Sequence, residues 1–104
     1  METYYYDGRS YRDIRDALDA VRDDIDFSLG DSDIDFYLRE NGPVVSDGEE
    51  LRTASALKRT DYGLYRSIRD ELIDMVMSEI REGAMAGEFP IRIPFADTVL
   101  ESSE

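Results

Sequence analysis

The sequence predicts a mostly α fold: a compact small helical domain of three main helices and a short fourth element, whose extended termini can form a minor two-stranded pairing. Two apolar stripes and one proline-marked segment predict it. Tyr11, Ile14, Leu18, Val21, Ile25 and Leu29 step by three and four residues, as one face of a helix does. Leu64 or Tyr65, Ile68, Leu72, Met75 or Val76, and Ile80 do the same further along the chain. Phe89-Pro90-Ile91-Arg92-Ile93-Pro94-Phe95 alternates apolar residues, but its two prolines bar it from the centre of a sheet. The chain has 104 residues, which suits a single domain over 1–104, with 1–9 and 88–104 as extended terminal segments.

Each element has its own signals. The run Thr3-Tyr4-Tyr5-Tyr6 can pair with 89–95, and Asp7-Gly8 then turns the chain into the first helix, 11–28. Ser10 is its expected N-cap, with Asp13 three residues on as the acid of a capping box. Gly30 suits the left-handed position that ends a helix. Residues 31–42 read in two ways. Ile34, Tyr37 and Leu38 fit a short helix over 33–40, capped by Ser32 and closed by Asn41-Gly42. Ile34, Phe36 and Leu38 fit a strand entering an Asn-Gly turn. Pro43 disfavours the hairpin, so the helix is preferred. Ser46 with Glu49 spells a capping box for a helix over 48–59 that buries Leu51, Ala54 and Leu57. Thr60 or Asp61 starts the longest helix, 61–82, and Gly83 and Gly87 loosen the chain beyond it. Residues Glu101 to Glu104 are expected to fray. The expected core is Ile14, Leu18, Val21, Ile25, Leu51, Leu57, Ile68, Leu72, Val76 and Ile80.

Composition excludes whole classes of chemistry. With no cysteine there is no disulfide, thiol nucleophile or thiolate metal site. With no histidine there is no imidazole base or ligand, so Ser-His-Asp and Cys-His catalysis are out. Carboxylates remain, and pairs such as Glu71 with Asp74 or Glu79 with Glu82 occur on any acidic helix. No catalytic residue is assigned, and the chain is read as a non-enzyme without cofactor. No apolar run approaches the ~20 residues of a membrane span. The start Met1-Glu2-Thr3 lacks the basic and apolar stretches of a signal peptide, so the expected location is cytoplasmic.

Charge is the strongest compositional feature. The net charge is -13, from 25 acids and 12 bases. Residues 1–50 carry 15 acids against 5 bases, whereas 51–104 carry 10 against 7. The window 13–35 holds 9 acids and 2 bases. The window 51–69 reverses the sign, setting Asp61 against Arg52, Lys58, Arg59, Arg66 and Arg69. A field of this sign repels nucleic acid and anionic membranes and attracts basic proteins. The basic window is expected to pair with acids of the same chain or of a second copy, which leaves a homodimer open.

The candidate partner-binding residues derive from that charge. Asp16, Asp19, Asp23 and Asp26 step by three and four along the first helix, a carboxylate about every 5 Å. Like charges so spaced destabilise an isolated helix, and aspartate is a poor helix former. Arg12, Arg15 and Arg22 interleave and soften the row. Asp31, Asp33 and Asp35 extend it past the helix. They also begin like a calcium loop, but Phe36 stands where glycine is needed and Gly42 where glutamate is needed, so no metal site is assigned. Tyr4 and Tyr6, among seven tyrosines, are candidates for contact area.

These features predict a small acidic inhibitor that occupies a basic, nucleic-acid-binding surface of another protein, and that does not itself bind nucleic acid. In charge and size it is similar to anti-restriction and anti-CRISPR inhibitors, nuclease immunity proteins and antitoxins. Two alternatives compete. One is a structural or adaptor subunit of an assembly such as a virion, docking through 89–95. The other is an ordinary salt-adapted domain, which would spread its acids evenly.

Overall fold

Two Asp-Gly pairs decide the architecture. Asp7 and Gly8 have φ of 51° and 78°, and Asp47 and Gly48 have 50° and 79°. Two successive positive φ values make the tight turn whose twist matches that of paired strands, so each pair closes a β-hairpin. The structure, a computed structural model, describes residues 2–103. Its first hairpin joins β1 (Thr3–Tyr6) to β2 (Arg9–Tyr11). Helices α1 (Ile14–Ser28) and α2 (Asp31–Asn41) come next. The second hairpin joins β3 (Val44–Ser46) to β4 (Glu49–Leu51). Then come α3 (Ala54–Thr60), α4 (Tyr62–Met85), β5 (Ile91–Ile93) and β6 (Thr98–Ser103).

This is a mixed α/β fold, and the mostly helical expectation is corrected. The termini form a four-stranded antiparallel sheet in the order β2-β1-β6-β5, not a minor two-stranded pairing. Residues 3–6 pair with β6 rather than with 89–95: Thr3 faces Ser103 and Tyr6 faces Leu100. On the other side of β6, Ile91 faces Leu100. Residues 101–103, expected to fray, are therefore central strand, and Glu104 lies outside the described residues. Pro90 and Pro94 flank β5 at the sheet edge, the place a strand tolerates proline.

Helix boundaries shift for local reasons. Ser10 is in β2, and the N-cap of α1 is Asp13, whose carboxylate accepts the Arg15 N–H at 2.9 Å. Gly30 is extended, at φ -108°, and caps the start of α2 instead of ending α1. Asp33 accepts the Gly30 N–H at 2.9 Å, the reach-back half of a capping box. The helical reading of 31–42 holds, and Gly42 ends α2 at φ 90°. Residues 48–53 are not helix. Ser46 and Glu49 face each other across the second hairpin, and Thr53 caps α3 by accepting the Ala56 N–H.

The chain divides into two units, Met1–Leu29 with Ile73–Glu104, and Gly30–Leu72. In the first, α1 lies against β1 and β2. Its buried side chains include Tyr6, Leu18, Val21, Ile25, Ile73, Met77, Ile80, Ile93 and Leu100. A Cβ on Gly83 would meet Ile91 at 3.4 Å, so a residue without a side chain suits that close helix–strand approach. In the second unit α2 packs on α3, and Ile34, Leu38, Leu51, Leu57, Tyr65 and Ile68 are buried. Of the expected core, Ile14 and Val76 are only half-buried. On α4 the stripe passes through Ile73 and Met77 instead of Val76. No helix among the described residues is long and apolar enough to cross a membrane.

Candidate functional site

Helix α1 presents two opposed faces. At about 100° per residue, Leu18, Val21 and Ile25 fall on one side, and Asp16, Asp19, Asp23 and Asp26 centre on the other. The structure matches the pattern: the three apolar residues are buried and all four aspartates are exposed. Asp16, Asp19 and Asp23 make no side-chain hydrogen bond or ion pair among the described residues. The interleaved arginines do not bridge the row. Arg15 joins Asp13 at 2.8 Å, and Arg22 joins Asp74 at 2.8 Å. The Arg15 guanidinium holds the Asp13 carboxyl below its usual range, chiefly through that hydrogen bond.

The second acidic run plays a different part. Asp31, Asp33 and Asp35 lie in α2, in the other unit, and each carboxylate has a local partner. Asp31 accepts from Lys58 at 2.8 Å and from the Tyr65 hydroxyl at 3.1 Å. The Lys58 bond is the main reason its carboxyl is held low. Asp35 accepts the N–H of Ala54 at 2.7 Å, satisfying the orphan first donor of α3. With Asp33 on Gly30, the three carboxylates tie α2 into its surroundings. Among the described residues no group of three or more carboxylates is placed to hold a metal ion. In the basic window, Lys58 pairs with Asp31, and Arg52 pairs with Glu50 at 2.6 Å.

Of the two tyrosine candidates, Tyr4 is half-buried and donates to Glu2 at 2.9 Å. Tyr6 is 3 % exposed and donates to Asp24 Oδ2 at 2.6 Å, from β1 to α1. Burial first, and then the carboxylate, push its hydroxyl well above the usual tyrosine range. Tyr6 is thus a core residue with a polar tether.

Sequence reasoning missed Phe27. It is 91 % exposed and projects from the acidic side of α1. The signal was available, because Phe27 lies off the apolar stripe and one turn after Asp23 and Asp24. It lines a shallow groove of ≈ 310 Å³ together with Asp7, Arg9, Tyr11, Asp23 and Asp24. The alternative docking segment, 89–95, is no free arm: Ile93 is 1 % exposed and paired in the sheet. Compared with family models, curated proteins and solved structures, the chain gives no significant match to any.

Proposed function

We propose that this protein binds a basic partner protein through the outer face of α1 and occupies a surface that otherwise takes nucleic acid. One observation carries the reading: four exposed aspartates lie opposite the buried stripe, and three of them have no hydrogen-bond or ion-pair partner within the described chain. α1 has 15 residues, about 22 Å of axis. A nucleic-acid strand advances ~3.4 Å per phosphate, so the row imitates the sign and approximate density of a phosphate strand and not its register. The field speeds encounter with a positive groove and weakens as salt rises.

The test has two parts. The protein should capture a partner from a nuclease-treated extract of its source, and added duplex DNA should release that partner. The variant carrying Asp19→Asn, Asp23→Asn and Asp26→Asn keeps the side-chain shapes and removes three charges, so it should lose the partner. Equal capture by the variant at low and high salt, with no release by DNA, would overturn the proposal.

A further inference from the structure

We propose that the groove beside α1 receives an arginine side chain of the partner, its guanidinium stacked on Phe27 and its N–H groups directed to Asp23 and Asp24. The inference rests on the reading above only in taking the partner to be basic. It adds which basic residue is recognised, and where.

Three observations carry it. First, Phe27 is 91 % exposed and has no ring or cation against it among the described residues. A phenyl ring held in water on a helix packed by its opposite face contributes nothing to the core. Second, helical side chains lean toward the N-terminus, so Phe27 overlies the turn that bears Asp23 and Asp24. Asp23 has both oxygens open. Asp24 gives Oδ2 to the Tyr6 hydroxyl and keeps Oδ1. That bond to a buried tyrosine also fixes the Asp24 rotamer before any partner arrives. Third, Tyr11, Asp7 and the Tyr6 that holds Asp24 also line it, so the groove has three aromatic residues and three carboxylates against the single charge of Arg9.

This set of acceptors and rings selects a guanidinium over an ammonium. Arginine is planar, stacks on aromatic faces, and presents a fork of N–H donors that matches carboxylates; it is also more weakly hydrated than lysine. The chain makes this contact elsewhere for itself. Arg39 lies over the Phe36 ring at 5.8 Å from the centroid. Phe27 offers a comparable ring with carboxylates beside it and no arginine of its own upon it. Arg9 makes no ion pair among the described residues, and as a groove-lining cation it competes with an incoming one.

The experiment titrates the protein with an all-arginine and an all-lysine peptide of equal length at low salt. Recognition by charge alone binds the two equally. The groove predicts a preference for arginine of roughly three- to ten-fold, the range of an exposed cation–π contact with added hydrogen bonds. Phe27→Ala should bring the two peptides to parity, and Phe36→Ala should leave the preference intact. Arg9→Ala should tighten arginine binding. Phe27 is exposed, and alanine is the better helix former, so folding does not cloud the result. Parity in the unmodified protein, or a preference that survives Phe27→Ala, would overturn the inference. The variant Asp16→Asn, Asp19→Asn, Asp26→Asn separates it from the wider reading. If that variant binds both peptides like the parent and still prefers arginine, the acid row fails and the groove stands. If it loses both peptides in proportion while the parent shows no preference, the row stands and the groove fails.

Discussion

Replacing Leu100 by alanine tests the four-stranded sheet directly. Leu100 is 0 % exposed and sits in β6 between Tyr6 of β1 and Ile91 of β5. A fully buried Leu→Ala change costs about 2–5 kcal/mol, from lost transfer energy and the cavity left behind. The site has little freedom to collapse, because strands hydrogen-bonded on both sides hold the backbone in place. We therefore expect about 3–4 kcal/mol. Since a domain of this size has only roughly 5–15 kcal/mol in total, that is a large fraction. Each kcal/mol shifts the melting temperature of such a domain by about 4–8 °C, so the midpoint should fall on the order of 10–30 °C. The assay is thermal unfolding monitored by circular dichroism, with urea unfolding to obtain the free energy. Val99, next in the strand and 39 % exposed, is the control: Val99→Ala should cost under about 1 kcal/mol. If Leu100→Ala costs no more than Val99→Ala, the central placement of β6 is wrong and the C-terminal segment is peripheral.

Three other outcomes are expected. The folded Tyr6 hydroxyl titrates well above its ordinary value of 10.0. Its contribution is therefore complete below about pH 10 and is lost as the pH rises beyond it, where the unfolded tyrosine ionises first. Tyr6→Phe should flatten that alkaline loss in a series of urea melts, and an unchanged slope would count against the Tyr6–Asp24 tether. Asp35→Ala should cost about 1–3 kcal/mol by leaving the part-buried Ala54 N–H without its acceptor. Asp35→Asn should recover most of that loss. Chelation with EDTA should leave the melting temperature unchanged; a fall of many degrees, reversed by one divalent ion, would restore Asp31, Asp33 and Asp35 as a metal site.

The long helices were legible and the strands were not, for a physical reason. The α1 stripe repeats over more than four turns, so chance alternatives are few, and Leu18, Val21 and Ile25 are buried as expected. Strands β2, β3, β4 and β5 have three residues each. A period of two barely repeats in three residues. The pairing that makes the sheet is also non-local, joining Thr3 to Ser103, and no local pattern records it. Residues 46–49 show a direct conflict. Ser46 and Glu49 have capping-box spacing, yet Asp47-Gly48 between them is the strongest short hairpin signal. The hairpin prevails because it sets Val44 opposite Leu51 and lets Leu51 be buried at 1 % exposed. Asp7-Gly8 carries the same signal, and it turns the chain into β2 before α1 begins.

Local geometry also explains which aspartates are occupied. Aspartate costs helix stability relative to glutamate, so its use on α1 and α2 calls for a reason. For many positions the reason is the short side chain, which reaches nearby backbone or a fixed neighbour. Asp13 and Asp61 accept N–H groups at the starts of helices, and Asp33 and Asp35 accept those of Gly30 and Ala54. Asp24 holds the Tyr6 hydroxyl, and Asp31 holds Lys58 and Tyr65. None of these reasons reaches Asp16, Asp19 or Asp23. They bear the propensity cost and mutual repulsion, and make no internal hydrogen bond or ion pair among the described residues. Exposed Phe27 stands on the same side of the same helix and likewise has no ring or cation against it there. Carboxylates without an ion-pair partner and an exposed ring thus occur together on one face. That coincidence is the physical ground for proposing α1, and not the whole acidic stretch from 13 to 35, as the binding face.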